Sequence, residues 1–200
     1  GHHEEAMMAY NNALQQALEV GDQIAVCLSN INLGDIYRTL GKPDRARHHL
    51  DQGLVVASTL KHDRKRLFLL CNHAELDLDE GKFEAADLRL EEARVIAERY
   101  GEQRLIGFVH RLKATMYWQR GKLDTALQQI EKGEAALASQ ANSDILLLLL
   151  CIRMDVELAS NSMDAARETM ERIEVIQARL RVGSETGLSK ILDRLRASIA

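Results

Sequence analysis

Proline is nearly missing from this chain: Pro43 is the only one in 200 residues, where average usage of about 5% would give roughly ten. Long, unbroken helices are the structure that such a scarcity suits best. Aromatic residues are also sparse, at 4%, which argues against a strand-rich sandwich. Three cysteines are too few for a disulfide-stapled secreted scaffold and point to a reducing, cytoplasmic setting. No apolar run is longer than residues 145–152, far below the roughly 20 residues of a membrane-spanning helix. A basic excess is lacking too: 26 Lys and Arg against 30 Asp and Glu leave a formal charge of −4, so no general field draws the chain to nucleic acid or membrane. The opening Gly1-His2-His3-Glu4-Glu5 shows no basic n-region and no apolar stretch behind it, so no signal peptide is visible there. His2 and His3 fit the remnant of an expression tag.

What the chain does contain is a repeat. Gly41, Gly81 and Gly121 head the strings GKPDRA, GKFEAA and GKLDTA at a constant spacing of 40 residues. The same step reaches Gly1 backward and Asn161 forward. Five residues after each start stands Ala6, Ala46, Ala86, Ala126 or Ala166, and three residues after it an acid: Glu4, Asp44, Glu84, Asp124 or Asp164. Apolar or small residues recur as in Phe83, Ala86, Leu90, Ala93 and Ala97, one face of a 3.6-period helix. The acid falls in that helix's first turn, where it complements the macrodipole. A second helix precedes each start, at about residues 22–40, 63–80, 102–120 and 143–160, with small residues Gly34, Ala74 and Ala114 admitting its neighbour. Gly21-Asp22, His62-Asp63, Gly101-Glu102 and Asn142-Ser143-Asp144 supply turn and N-cap chemistry between them. The reading is all-α, a stack of antiparallel helix hairpins. Residues 1–20 form the second helix of an incomplete first repeat, 21–180 hold four complete repeats, and 181–200 hold an amphipathic capping helix with Leu188, Ile191, Leu192 and Leu195 on its apolar face. Because the first helix lacks the partner its apolar face implies, the chain is expected to be cut from a longer polypeptide.

Gly34, Tyr37, Ala46, Leu50 and Gly53, with Ala114, Tyr117, Ala126, Ile130 and Gly133 two repeats later, resemble the signature positions of the tetratricopeptide repeat. The resemblance spans residues 1–180. It departs in its period of 40 instead of 34, in an early Trp column that reads Asn30, Leu70, His110 and Leu150, and in the missing late proline. The longer period resembles the variant of kinesin light chains and of bacterial signalling and transcription regulators. HEAT or armadillo repeats, of similar period, are the alternative.

The resemblance implies a right-handed α-solenoid whose first helices line a groove for a peptide or partner segment. It places Asp35, Glu75, Thr115 and Asp155 in one groove row and Arg38, Leu78, Trp118 and Leu158 in the next. Thr39, Asp79 and Gln119 lie beside them, and Ile31, Cys71, Arg111 and Cys151 lie deeper. The partner-binding residues expected are therefore Asp35, Arg38, Glu75, Asp79, Arg111, Thr115, Trp118 and Asp155, forming a mildly acidic groove. Trp118 is its aromatic anchor or packs between helices. The function implied is a protein-interaction scaffold. The alternative is a peptide- or ligand-responsive sensor domain of a bacterial regulator.

Lys61, Arg64, Lys65 and Arg66 crowd the start of a helix, where cations are disfavoured, so they are either a solvated cluster or matched by acids. Residues 145–152, apolar all round, are read as buried, with a homodimer face there or at the terminal helices as the other option. Catalysis is not expected: GxxxxGK[ST], HExxH and GxSxG are all missing. His62-Asp63 sits at a capping position, and His48 and His49 diverge by about 100 degrees on one helix. No cofactor, metal, nucleic acid or membrane partner is called for.

Overall fold

A residue with left-handed backbone stands at almost every twentieth position. Gly21, Gly41, Gly81, Gly101 and Gly121 have φ between 63° and 74°, and Lys61 (50°) and Asn161 (55°) take the same place. This conformation turns the chain out of one helix and straight into the next. At Gly41 its own amide donates to the carbonyl of Arg38 and the Lys42 amide to that of Tyr37, both at 2.9 Å. That pairing closes two of the carbonyls a helix end leaves open. The same pair of bonds recurs at Lys61, Gly81, Gly121 and Asn161.

The computed structural model describes residues 2–139, 143–180 and 187–199. Gly1, Asn142 and residues 181–186, which the sequence reading placed at a repeat start, a linker and the approach to the last helix, lie outside the described residues. Among the described residues ten helices follow in order: α1 (His2–Val20), α2 (Gln23–Thr39), α3 (Pro43–Thr59), α4 (Asp63–Asp79), α5 (Phe83–Tyr100), α6 (Gln103–Gln119), α7 (Leu123–Leu137), α8 (Asp144–Ala159), α9 (Met163–Leu180) and α10 (Gly187–Ala197). No strand occurs among the described residues. The helix starts are fixed locally. Asp22 accepts from the amides of Ile24 and Ala25, Ser143 from Leu146, and the His62 ring from Lys65, so His62 acts as a cap. Asp44, Glu84, Asp124 and Asp164 each occupy a first turn, as the repeat pattern expects.

Two compact units are formed, residues 1–100 and 101–200. In the first, each helix packs on the next, and α2 also packs directly on α4. Its core gathers Leu33, Tyr37, Ala46, Leu50, Ala57, Leu69 and Leu76. Gly34 is required there: a Cβ would lie 2.5 Å from Leu50 Cδ2. Gly53 likewise leaves room for Leu69, whose Cδ2 would lie 2.7 Å from an added Cβ. In the second unit α6 packs on α8 and α8 on α10. Ala126, Ile130, Leu147, Leu149, Met154, Ala166 and Ile173 share a core that encloses Leu192 and Leu195 of α10. Gly133 makes way for Leu149 as Gly53 does for Leu69. Ile145, Leu146, Leu147, Leu149, Leu150 and Cys151 are all buried within this unit. Leu148 and Ile152 of the same stretch stay half-buried.

One asymmetry positions the candidate site. Within the first unit α2 approaches α4, while α3 and α5 make no comparable approach. In the second, α6 approaches α8 and α8 approaches α10, while α7 and α9 do not. Helices that crowd on one side and splay on the other make a curved layer, with α2 and α4, or α6, α8 and α10, on its inner side.

Candidate functional site

Helical spacing gathers Ile24, Leu28, Ile31, Asp35 and Arg38 into one stripe of α2, and Phe68, Cys71, Glu75 and Leu78 into the matching stripe of α4. In the first unit the structure brings all four expected site residues together. The Arg38 guanidinium lies 3.3 Å from Asp35, 3.3 Å from Glu75 and 3.0 Å from Asp79, so it bridges α2 to α4. Burial pulls the Arg38 charge down, but Glu75, Asp79 and Asp35 together outweigh it and hold the guanidinium above its ordinary value. Three carboxylates thus share the Arg38 guanidinium. Asp35 and Asp79 keep about half of their side-chain surface exposed, at 54% and 51%, whereas Glu75 is down to 18%. Thr39 spends its hydroxyl on the Asp35 carbonyl.

The second unit arranges its expected residues differently. The Arg111 guanidinium stands 5.2 Å over the Phe108 ring, a cation–π contact. The Thr115 hydroxyl donates to the Arg111 carbonyl at 3.1 Å. Trp118 is half-buried and packs against the unit's apolar core. Asp155 accepts two bonds from Arg194 of α10, at 2.6 and 2.9 Å, and only 12% of its side chain stays exposed. The carboxylate thus faces a guanidinium from its own chain.

Cys71 and Cys151 are buried, in place of the deep groove positions expected of them. All three cysteines are free thiols. Burial, with Asp155 adding to it, pushes the Cys151 thiol up to about 12, and burial raises Cys27 too. Neither is poised as a nucleophile. The basic cluster at the start of α4 is matched in part: Arg66 pairs with Glu92 of α5, and Asp63 with Arg99 at 3.0 Å.

Two features escaped the sequence reading. The first is a row of Leu28, Phe68, Phe108 and Leu148, seven residues ahead of the acidic row, in which Leu28 is 40% exposed and the others half-buried. Its 40-residue spacing was the available signal. The second is the column of Tyr37 and Tyr117, which continues as Asp77 and Glu157, both buried. Tyr37 stacks on His49, ring centroids 5.3 Å apart. One repeat on, Asp77 receives Arg89 at 2.6 Å and Arg47 at 3.2 Å. His73, fully enclosed, places Nε2 3.2 Å from Asp51 Oδ1, without a well-aligned hydrogen bond. Burial first, then Arg89 and Arg47, lower its imidazole against the opposing pull of Asp51 and Asp77.

No protein-family profile matches the chain, and no curated protein does. Solved structures do. BtubC (BKLC) from P. vanneervenii superposes with a TM-score of 0.75 at 17% identity, over 99% of this chain and 84% of that one. Two structures of kinesin light chain repeats from Podosopora anserina, described as nearly identical TPR-like repeats, give TM-scores of 0.61 and 0.58 at 20% and 19% identity. Each covers 90% of this chain, and 94% and 95% of its own. At such identities the likeness concerns the fold.

Proposed function

Since the chain is a tetratricopeptide-like helical repeat protein, we propose that it is a protein-interaction module that holds a peptide or partner segment against the inner faces of its first helices. The observation that carries this is the packing asymmetry within each unit: α2 on α4, and α6 on α8, crowd together on one side. In this reading the partner meets Asp35, Asp79 and Leu28 in one unit and Arg111, Thr115 and Trp118 in the other, none of which is fully buried. A half-buried Trp such as Trp118 is a common anchor for a partner's side chains. We read the module as non-catalytic, because its shifted thiols and imidazoles are buried structural groups, not a convergent set lining a cleft. In the same reading α10 caps the last repeat.

The test is affinity capture from extract with identification of the captured proteins by mass spectrometry. The native chain is compared with a Trp118→Ala/Arg111→Ala double variant and with Leu88→Ser. Leu88 stands 75% exposed on α5, a helix of the outer layer. The double variant is expected to lose partners that Leu88→Ser retains. Equal recovery by all three chains defeats the inner-face assignment.

A further inference from the structure

The inner face of α2 and α4 changes character along its length. Toward the N-terminal ends of the two helices it is apolar: Ile24 is 49% and Leu28 40% exposed, with half-buried Phe68 of α4 nearby in the same stripe. Toward the C-terminal ends it is acidic, with Asp35, Glu75 and Asp79 around Arg38. The two helices run parallel, since the contacts of Arg38 with Asp79 and of Asn72 with the Ile31 carbonyl join residues 41 apart. Both negative dipole ends therefore fall at the acidic end and add to the negative potential of the half-exposed Asp35 and Asp79. Carboxylates in a last helical turn oppose the dipole, so Asp35 and Asp79 do not serve helix stability there. In the second unit the corresponding row is neutral at Thr115 and answered by Arg194 at Asp155, so the half-exposed acids of the row belong to the first unit's face.

Resting on the inner-face reading, we propose that the α2–α4 face docks a partner segment that pairs an apolar side chain with a lysine or arginine. The apolar group would lie on Ile24, Leu28 and Phe68, and the cation beside Asp35 and Asp79. Seven helical residues separate Leu28 from Asp35, about 10 Å along the axis. An extended segment spans that distance in about three residues, which fixes the spacing of the two groups in the partner. Charge complementarity selects the cation, and the exposed leucine and isoleucine select the apolar group. Raising the salt concentration should weaken the contact, because the acids are solvent-exposed.

The experiment is selection of a random phage-displayed dodecapeptide library on the full chain. Binding of labelled, enriched peptides is then measured to the native chain and to Asp35→Asn/Asp79→Asn, Leu28→Ser and Trp118→Ala variants, with circular dichroism confirming that each is folded. Enriched sequences should carry Leu, Ile, Phe or Met about three residues from Lys or Arg. Their affinity should fall about tenfold in the double acid variant and in Leu28→Ser. Enrichment of acidic or uncharged peptides, or an affinity unmoved by both variants, overturns the basic and apolar assignment. If such peptides still lose binding to Trp118→Ala, the inner-face reading survives on its own. A library that yields no binder overturns both.

Discussion

Among the described corners, Lys61 occupies a position otherwise held by glycine or asparagine. Its φ of 50° puts a Cβ against the carbonyl that follows, a conformation costing roughly 1–2 kcal/mol for an ordinary L-residue. Part of that is recovered by the lower entropy of lysine in the unfolded chain. Lys61→Gly should therefore stabilise the protein by about 0.5 kcal/mol, read as a higher urea midpoint. Gly34→Ala should do the opposite by about 1–3 kcal/mol, because the added methyl meets Leu50 at 2.5 Å. The two substitutions separate a glycine position needed for backbone shape from one needed for space. His73 adds a pH dependence. Its folded imidazole titrates below the ordinary value of 6.5, so between those two values the unfolded chain binds more protons. Stability is then complete above pH 6.5 and falls as the pH drops through that window. The groups facing the ring are Asp51 and Arg47 of α3, Asp77 of its own helix, and Arg89 of α5. A His73→Gln chain should show a flatter stability profile between pH 7.5 and 5.5; an unchanged slope would assign the effect to other groups.

At the scale of the helix, what was legible follows from register. A period of 40 with no insertion repeats every corner and every small residue. The alanines at 46, 86, 126 and 166 are accordingly fully buried, and the glycines lie where one helix ends and another begins. Side-chain partners were not legible in the same way. Arg38 could be placed in a row, but its reach from α2 to Glu75 and Asp79 depends on how closely α2 and α4 approach. Asp155 looked open because the helix carrying Arg194 had no assigned seat. Asp77 broke the aromatic column without a visible substitute, since Arg47 and Arg89 come from α3 and α5. That pair of arginines makes Asp77 the costliest acid to remove. Both guanidiniums are mostly covered, with 29% and 30% of their side chains exposed, and Asp77 itself is 1% exposed. Asp77→Ala should cost about 3 kcal/mol by taking the carboxylate from Arg89, while Arg47 keeps Glu80. Asp79→Ala, at a half-exposed carboxylate, should cost about 0–1 kcal/mol. Chemical denaturation of the two variants decides this, and equal losses would mean that the arginines find other partners.

For the molecule as a whole, stability in a repeat array is a sum over neighbours, so damage should be felt locally and fade with distance along the chain. The last helix offers a clean test. α10 contributes Leu192 and Leu195, both fully enclosed, to the core that holds Met154 and Ile173, at about 1.5–3 kcal/mol for each buried leucine. It also supplies Arg194 to Asp155. A chain ending at Leu180 loses both contributions and uncovers apolar surface on α8 and α9. Amide hydrogen exchange should then speed up most in α8 and α9, less in α6 and α7, and least in α2 and α3, because each helix depends on those packed beside it. Loss of protection by the same factor in every helix would instead mean that the array unfolds as one cooperative body. The cap would then be holding up α2 and α4, far from it in sequence, as firmly as its own neighbours.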